Sequence, residues 1–522
     1  MDDPLNARTS APRVAVVGGG IAGLIAAWDL ARSGCSVEIF EAGDRLGGAI
    51  GAHTLSGVAY DAGAEAFATR SPVVPRLLEE LGLQDLVVAP QHAIAWLQLP
   101  DVAAPLPATG ILGIPADPLA PDVVAILGEE AAARAAEDLN APIEGWAEEH
   151  ASRGGRITLG EVVRDRMGQD VLDRLVTPIV SGVHSAEPDD LDMSNTAPGL
   201  FEAMLREGSL ARAVAQVKSK APAGSAVNSL HGGLNRLVAA LEEELLRLGA
   251  VIRLNSPVHD LATLDAPGAD RPDRPDRHDH IVLALDAPAA VELAAGMVDL
   301  SGLDLTGLGA GSRNPRGSQH EVQPESQTPG PGVALVSMVL DAPELDSHPR
   351  GTGVLVSPHV TEIGAKAMTH ISSKWEWADA AVTQAHGPGH HVVRLSYGRV
   401  GQSSQRSLGA DSSDEELLQA AALDVGALFG VAIEPAQILE ASVTRWRKAL
   451  PQTSAGHADR IAALRARLAE QPAASAADQA ERTPGTRSPR LHMTGAWFAG
   501  TGLARVVPDA RAVAASILGA SG

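Results

Sequence analysis

The chain has 522 residues, which is enough for about three domains of roughly 150 residues each, and 45% of them are hydrophobic. Its 41 basic and 64 acidic side chains give a formal net charge of −23, and a surface this acidic disfavours binding to nucleic acid and to anionic membranes. A single cysteine, Cys35, excludes an internal disulfide and a cysteine-only metal cluster, and we expect it to be a small residue packed near a helix end.

The sequence shows no signal peptide and no membrane-spanning run. Residues 1–13 are polar and lack the basic and then apolar regions of an export signal. No stretch of about eighteen uncharged apolar residues occurs. We therefore expect no transmembrane segment and a cytoplasmic location.

The first elements in chain order are a strand, a glycine-rich turn, a helix and a second strand. Arg13–Val17 is a short apolar run typical of a buried parallel strand, and glycines follow at 18, 19, 20 and 23. The pattern then predicts a helix over 24–33 and a strand over Ser36–Phe40, which is followed by Glu41. This order within about thirty residues predicts a dinucleotide-binding βαβ unit.

The glycines of this turn have separate physical roles. Gly18 allows the tight turn, Gly20 lets a pyrophosphate approach the backbone, and Gly23 lets helix and strand pack closely. The start of the helix offers N–H groups to phosphates, while Glu41 is placed to accept hydrogen bonds from ribose hydroxyls. The predicted cofactor contacts in this unit are Gly18, Gly20, Ile21, Ala22, Gly23, Glu41 and Ala42.

The residues after Glu41 favour FAD over NAD. The run Glu41-Ala-Gly-Asp-Arg45-Leu-Gly-Gly48 resembles the signature of amine-oxidase-like flavoproteins, and NAD dehydrogenases do not usually continue in this way. The resemblance implies that Arg45 reaches the FAD pyrophosphate and that the glycines at 47 and 48 let the chain pass close to the flavin.

Later motifs resemble those of one family, the FAD-dependent porphyrinogen oxidases. Residues 60–67, followed by Arg70, resemble the family's loop beside the flavin ring, and 176–184 resembles the helical segment that lines its substrate cavity. Further motifs follow in the family's order, at 229–237, 365–375, 394–398, 445–457 and 494–504. The match covers almost the whole chain and is similar above all to the enzymes of high-GC Gram-positive bacteria, which act on coproporphyrinogen III.

The resemblance implies a set of contacts with FAD, including one with the adenine at Val258. Beyond the first unit these contacts are Arg45, Gly48, Ala49, Gly63, Ala64, Glu65, Ala66, Val258, Trp446, Gly502, Leu503 and Ala504. For the substrate, the resemblance implies Gly182 and Val183 in the cavity wall.

Basic residues are needed for the propionate groups of such a substrate. Arg70 is our candidate, since a guanidinium matches a carboxylate, and a surface arginine is the alternative interpretation. Lysine is rare in this chain, so Lys366 and Lys374 are weaker candidates, and we expect both to be exposed to solvent.

The order of motifs predicts an α/β protein of several domains. A Rossmann-like FAD-binding domain is expected to be assembled from separate segments, with a helical insertion and a mixed-sheet substrate domain between them. The predicted limits are 11–90, 211–285 and 441–522 for the FAD-binding domain, 91–210 for the helical domain and 286–440 for the substrate domain. Apolar spacing also predicts helices over 72–83 and 234–248, and a returning strand over 251–258.

Three segments rich in Pro, Ser, Arg or Gln bury too little apolar surface to order themselves and are predicted to be solvated insertions. They are 265–280, 312–331 and 470–490. We interpret His278 and His280 as residues of a solvated loop rather than as metal ligands. His390 and His391, just before a predicted strand, are interpreted as core or surface residues.

The resemblance implies oxidation of coproporphyrinogen III to coproporphyrin III in heme biosynthesis. Aromatising the ring removes six hydrogens in three two-electron steps, with dioxygen as the acceptor and hydrogen peroxide as the product. No general base stands out, because the redox chemistry belongs to the flavin. The expected partners are the porphyrinogen, dioxygen and, transiently, the next enzyme of the heme pathway.

Three alternatives share parts of this pattern. A protoporphyrinogen IX oxidase differs only in its substrate. An amine oxidase or carotenoid desaturase has the same FAD frame, but amine oxidases usually enclose the flavin with aromatic residues, and this chain has two tyrosines and five phenylalanines. A non-enzymatic escort-type protein of the same fold has lost flavin, and Glu41, Arg45 and the 500–504 turn argue against it.

Overall fold

The computed structural model describes eleven stretches of the chain. They are 11–91, 94–108, 110–153, 157–184, 186–220, 226–265, 277–305, 332–399, 408–446, 456–471 and 489–520. The insertion predicted at 312–331 lies outside the described residues, as do most residues of the other two predicted insertions.

A βαβ unit opens the described chain, helices predominate between residues 121 and 219, and strands predominate between residues 333 and 446. The strands are β1 Arg13–Val17, β2 Ser36–Phe40, β3 Ala52–Leu55, β4 Val58–Asp61, β5 Phe67–Ala68, β6 Val87–Val88, β7 Trp96–Gln98, β8 Ala103–Pro105, β9 Gly110–Ile111, β10 Ile114–Pro115, β11 Val227–Leu230, β12 Val251–Arg253, β13 His280–Leu283, β14 Val333–Asp341, β15 Gly353–Val356, β16 Ala367–His370, β17 His390–Tyr397, β18 Ile438–Trp446 and β19 Arg490–Met493. The helices are α1 Ile21–Arg32, α2 Val73–Glu80, α3 Pro121–Leu127, α4 Glu129–Ala136, α5 Glu144–Ser152, α6 Leu159–Met167, α7 Gln169–Val171, α8 Thr177–His184, α9 Met193–Thr196, α10 Leu200–Glu207, α11 Leu210–Ser219, α12 Asn235–Arg247, α13 Ala287–Ala294, α14 Ile371–Lys374, α15 Glu376–His386, α16 Asp414–Phe429, α17 His457–Ala469, α18 Ala496–Ala499 and α19 Leu503–Ala520.

A five-stranded parallel sheet in the order β12-β2-β1-β13-β19 combines strands from the first part of the chain with a strand from its last part. β1 and β2 have the predicted bounds, and α1 begins three residues before the predicted helix. One face of the sheet is covered by α1, α12 and α19, and the other by α13 and α17. Burial from both sides explains why residues 14–17 are apolar without alternation.

A seven-stranded mixed sheet in the order β18-β14-β17-β16-β15-β7-β8 forms the second layer. Its strands come from 96–105 as well as from 333–446, so the chain enters this sheet before the helical region and returns to it afterwards. Alternate residues of β17, namely Val393, Leu395 and Tyr397, pack in the core that includes α16. Arg394 therefore points to the opposite face, because successive side chains of a strand alternate.

The helical region, α3 to α11, has a hydrophobic core of its own. Between α7 and α8 the helix widens into a π-helical turn over Leu172–Val176, and the carbonyl of Leu175 approaches Gly113, whose φ is +85°. Such turns within helices are frequent at functional sites. The motif that resembles the substrate-cavity segment starts in this turn and continues through α8.

Several local predictions can be compared with the structure. The helices predicted over 72–83 and 234–248 are confirmed as α2 and α12. The returning strand predicted over 251–258 is too long, because β12 ends at Arg253. There Asn255 adopts a φ of +50° and donates its N–H to the carbonyl of Gly43, which turns the chain out of the sheet.

The interpretation of His278 and His280 as residues of a solvated loop is wrong. Both are buried, His280 is the first residue of β13, and its Nδ1 lies 3.1 Å from Nε2 of His492. His391 is a core residue inside β17, and Cys35 is buried just after α1, as expected. Within the described stretches no group of three His, Cys, Asp or Glu side chains is arranged to hold a metal ion.

Candidate functional site

The glycine turn after β1 forms a cradle with open space on one side. At Gly18, whose φ is +106°, a Cβ would overlap the carbonyl of Ala284, and at Gly23 it would overlap the carbonyl of Gly18. At Gly20 the only neighbour of a Cβ would be the Cα of Gly48, 4.0 Å away. The first two glycines are therefore required by packing, whereas Gly20 borders a space that a ligand can enter, at the start of α1 where Ile21 and Ala22 follow.

The carboxylate of Glu41 joins the glycine turn to the segment after β2. It accepts hydrogen bonds from the N–H groups of Gly19, at 2.8 Å, and Gly43, at 2.7 Å. The N–H of Gly47 donates to the carbonyl of Gly19 at 2.8 Å, which brings the two glycine segments side by side. Gly48 and Ala49 are exposed there, so this segment forms the second wall of the cradle.

The segment after β12, which contains the predicted adenine contact Val258, runs beside the residues that follow β2. The N–H of Ser256 donates to the carbonyl of Glu41 at 2.8 Å, so this segment runs along the residues after β2 and Ala42. Val258 follows and packs, half-buried, in the same apolar cluster as Phe40.

Three residues taken from separate motifs, Arg45, Gly63 and Trp446, come together. Arg45 donates to the carbonyl of Gly48 at 3.3 Å, and its guanidinium carbon lies 5.7 Å from the centre of the Trp446 ring. A Cβ at Gly63 would lie 3.0 Å from the same ring and would overlap the carbonyl of Ala49. Nε1 of Trp446 is buried and has no hydrogen-bond partner among the residues that the structure describes.

The C-terminal glycine turn supplies a second helix start next to the first. Gly500 and Gly502 have φ values of +100° and +87°, and nothing lies within 4 Å of a Cβ built on Gly502. α19 then begins at Leu503 and Ala504, and it packs against α1 in one core. Two helix N-termini and two open glycines, Gly20 and Gly502, form a cradle that side chains would fill, which fits a dinucleotide with its phosphates.

The loop 61–66 is held by hydrogen bonds to the start of α12 and to the second wall of the cradle. The carboxylate of Asp61 accepts hydrogen bonds from the N–H groups of Leu234, at 2.7 Å, and Asn235, at 3.0 Å, where α12 begins. Burial raises the pKa of Asp61 above its usual value in spite of these hydrogen bonds. The N–H of Ala64 donates to the carbonyl of Ala49 at 2.9 Å, so the loop lies directly against the second wall of the cradle.

Glu65 in this loop is clamped between two cations. Nζ of Lys374 donates to one carboxylate oxygen at 2.6 Å, and Nη2 of Arg394 donates to the other at 2.9 Å. Burial alone would raise the pKa of Glu65, but the charges and hydrogen bonds of Lys374 and Arg394 outweigh it and lower the pKa to about 2. We name Glu65, Lys374 and Arg394 the Glu65 node. Ala66 follows it, half-buried.

A row of small and apolar side chains crosses the sheet on the same face as Arg394. Leu355, Ala367 and Ser396 are paired across β15, β16 and β17 and are all half-buried, whereas their strand neighbours on the α16 face are fully buried. We name these three residues the open row. Leu355 packs partly against the core of the helical region, and the remaining exposure of the row marks a surface that the protein's own core covers only in part.

Helix α8 lies against this open row. A Cβ on Gly182 would lie 2.8 Å from Cδ2 of Leu355 and 3.7 Å from the carbonyl oxygen of Lys366. The structure therefore brings Gly182 and Lys366, from two different motifs, to one place. Val183, the next residue in the helix, is 55% exposed.

The expectation that Lys366 and Lys374 are exposed is wrong. Lys366 is 2% exposed, and burial together with the charge of Arg399 lowers its pKa to about 8. Lys374 is largely buried in the Glu65 node. Arg70 is the exposed residue, in the turn after β5.

Sequence reasoning missed Arg394 as a site residue. It lies in β17 between apolar residues, where a charged side chain is costly unless it is paired. A lone arginine inside an apolar strand was the signal that pointed to a buried partner. The sequence could not identify that partner, because Glu65 lies 329 residues away.

Comparisons with known proteins agree with this geometry. Residues 21–518 match the family described as flavin containing amine oxidoreductase, and the chain belongs to this family. It is 30% identical to a coproporphyrinogen III oxidase of Mycobacterium leprae over 464 residues, which cover 87% of this chain and 90% of that protein. The resemblance to porphyrinogen oxidases, and with it the class of flavin-dependent oxidoreductases, is thereby confirmed.

Two further proteins extend the comparison. Protoporphyrinogen oxidase 2 of Arabidopsis thaliana is 29% identical over 218 residues, 41% of each chain. A crystal structure from Exiguobacterium sp. 255-15, named only provisionally as a protoporphyrinogen oxidase, has a TM-score of 0.74 at 26% identity and covers 97% of this chain and 99% of its own. The predicted fold class is confirmed. No helix of the described stretches is long and apolar enough to cross a membrane.

Proposed function

We propose that this protein is an FAD-dependent oxidase that converts coproporphyrinogen III to coproporphyrin III with dioxygen as the acceptor. The observation that carries the proposal is the meeting of two surfaces at the loop 61–66. On one side of this loop lies the glycine cradle, and on the other lies the seven-stranded sheet with the open row. A dinucleotide in the cradle and a flat apolar substrate over the row would meet at the loop.

FAD would be held by backbone groups rather than by many side chains. We assign the phosphates to the starts of α1 and α19, the ribose to Glu41 and the adenine to Val258, with Arg45 and Trp446 beside the loop. When bound, the flavin supplies the two-electron acceptor. The proposed contacts are Gly18, Gly20, Ile21, Ala22, Gly23, Glu41, Ala42, Arg45, Gly48, Ala49, Gly63, Ala64, Glu65, Ala66, Val258, Trp446, Gly502, Leu503 and Ala504.

The substrate would be held by shape and by a few cations. The open row offers a partly exposed surface, and Gly182 lets α8 pack closely against Leu355 at one end of it. The backbone carbonyl of Lys366 lies near Gly182 at this surface and its side chain is buried, whereas Arg70 is exposed. We assign these two cations to propionate groups. Lys374 already pairs with Glu65, so we assign it to the loop rather than to the substrate, although the sequence suggested it as a substrate residue.

The overall reaction balances without a further co-reactant. One porphyrinogen gives up six hydrogens in three two-electron steps, and three dioxygen molecules accept them as three molecules of hydrogen peroxide. The protein's own contribution is to orient the macrocycle over the open row and to keep water away from that surface. The cytoplasmic location and the transient contact with the next enzyme of the heme pathway stay predictions.

One observation favours coproporphyrinogen over protoporphyrinogen. The relative named coproporphyrinogen III oxidase matches 87% of this chain, whereas the plant protoporphyrinogen oxidase matches 41% of it. The two cations that we assign to propionates, Lys366 and Arg70, would suit either substrate, because protoporphyrinogen carries two propionates and coproporphyrinogen four.

The test is aerobic turnover of both porphyrinogens, followed by porphyrin fluorescence, on protein that has first been checked for bound FAD by absorbance. We expect faster oxidation of coproporphyrinogen III, with hydrogen peroxide formed in a ratio of about three to one porphyrin. Preference for protoporphyrinogen IX would reverse the substrate assignment. No oxidation of either substrate by FAD-loaded protein would overturn the proposed function.

A further inference from the structure

We propose that the Glu65 node is a positioning device that holds the loop 61–66 against the flavin and, through its excess positive charge, raises the flavin's reduction potential. The proposal rests on the proposed function only in that a flavin occupies the cradle. Arg394 is the central positioning residue, and Glu65 and Lys374 complete the node.

Arg394 binds the loop at three points. Its Nη1 donates to the carbonyls of Asp61, at 2.7 Å, and Gly63, at 3.1 Å, while its Nη2 donates to Glu65. Because the guanidinium is planar and rigid, three acceptors on one side chain fix the curvature of the loop. Replacing it with a lysine would keep the charge and lose this geometry.

The node joins parts of the chain that are far apart in sequence. Lys374 ends α14, Arg394 lies in β17, and the backbone carbonyl of Glu65 accepts a hydrogen bond from Oγ of Ser229 in β11 at 2.6 Å. The loop is thus held from the substrate-side sheet and from β11 together. On its other side it touches Ala49 and Trp446, which belong to the cradle.

The charges of the node do not cancel. Two cations meet one carboxylate, which leaves one excess positive charge in a buried place. The neighbouring carboxylate of Asp61 interacts electrostatically with Glu65, but its oxygens are directed to the start of α12, where they accept three hydrogen bonds. Reduction of a flavin adds negative charge to it, so a buried positive charge beside the loop favours the reduced form.

The helical region offers a matched control for the arginine. Arg166, like Arg394, is buried; it pairs with the carboxylate of Asp138 and donates to the carbonyls of Asp138, at 2.8 Å, and Pro142, at 2.7 Å. Its partners all lie within the helical region. Arg166→Lys therefore repeats the chemical change of Arg394→Lys at a site that does not touch the loop.

The first experiment measures FAD affinity by titrating apoprotein with FAD and following flavin fluorescence. We expect Arg394→Lys to weaken FAD binding by about tenfold, since hydrogen bonds to a charged group are lost from the loop. Arg166→Lys should leave the affinity within about twofold of the wild type, after thermal melting has shown both variants to be folded. Equal effects of the two substitutions would overturn the positioning role.

The second experiment measures the midpoint potential of the bound flavin by dye equilibration. Glu65→Gln removes the negative charge and should raise the potential, whereas Lys374→Met removes a positive charge and should lower it. Shifts of the same sign, or none, would contradict the charge argument, and these two variants keep it testable even if Arg394→Lys does not fold. Wild-type protein that binds no flavin would instead refute the proposed function, so the two failures are distinguishable.

Discussion

Two buried arginine–carboxylate pairs in this molecule have nearly the same chemistry and different positions. Asp138 and Arg166 are both buried within the helical region, where Asp138 also accepts hydrogen bonds from Ser209 and the N–H groups of Leu210 and Ala211. Glu65 and Arg394 pair across 329 residues of sequence and include a second cation, Lys374. The first pair is balanced in charge and holds a local fold, whereas the second carries excess charge and holds a loop beside the cradle.

The largest effect on stability is expected at the balanced pair. Arg166→Met leaves Asp138 buried without its cation, and breaking a buried pair in this way costs about 3 to 5 kcal/mol of unfolding free energy. Urea unfolding of the FAD-loaded protein measures this loss. The fraction that remains folded should bind FAD normally, and a selective loss of FAD affinity at unchanged stability would contradict the local role.

The Glu65 node should change how the free energy of unfolding depends on pH in the acid range. The pKa of Glu65 in the folded protein, about 2, lies below the ordinary value of 4.5, so its contribution is complete above about pH 4.5 and is lost as the pH falls toward 2. The size of this shift corresponds to roughly 3 kcal/mol. Glu65→Gln should therefore lower stability at pH 7 and flatten its decline between pH 4.5 and 2, as measured by urea unfolding.

A surface carboxylate with the same number of partners controls for this result. Glu80 accepts hydrogen bonds from Arg32 and Arg511, and they lower its pKa, although burial acts in the opposite direction. Its side chain is partly exposed, so the solvent screens these charges. Glu80→Gln should change the acid dependence much less than Glu65→Gln does, and an equal change would show that burial of the node does not matter.

The two pairs also show which parts of the structure could be predicted from the sequence. The βαβ unit was predicted with correct strands because its signals are local: apolar runs, glycines and an acid within thirty residues. Glu65 was named from a resemblance and Lys374 because lysine is rare in this chain, but as separate contacts. Their ion pair spans 309 residues, and no local pattern encodes such a distance.

Other differences have similar physical causes. The π-helical turn at Leu172–Val176 depends on tertiary packing against Gly113 rather than on helix propensity. Strands β7 and β8 are too short to be recognised before their partner β15 is known. His278 and His280 were taken for loop residues from their neighbours' composition, although β13 buries them.

Lys366 is a further buried cation, and it extends the comparison because we assign it to the substrate. Burial first, and then the charge of Arg399, lower its pKa to about 8, so it is charged below pH 8 and loses its charge above that pH. The KM for coproporphyrinogen III should therefore rise as the pH is taken from 7 to 9. Lys366→Met should raise the KM by about tenfold at pH 7, since a charged hydrogen bond to a carboxylate is lost.

Lys366→Arg separates the charge of this residue from its shape. An arginine stays charged at all these pH values, so the rise of KM above pH 8 should disappear. A KM that is unchanged in Lys366→Met, or a pH dependence that persists in Lys366→Arg, would assign Lys366 to the fold instead of the substrate.

Arg70 is the opposite case, an exposed cation, and its substitution should have the smallest effect. Stability should change by no more than about 0.5 kcal/mol in Arg70→Ala, because the side chain is exposed in the turn after β5. The KM should rise by a few-fold for coproporphyrinogen III and by less for protoporphyrinogen IX, which has fewer carboxylates to lose a partner.

Arg76→Ala removes another exposed arginine six residues away, in α2, and should leave both KM values unchanged. If the two substitutions act alike, Arg70 contributes only to the general surface charge, and the propionates must find their partners among buried cations such as Lys366.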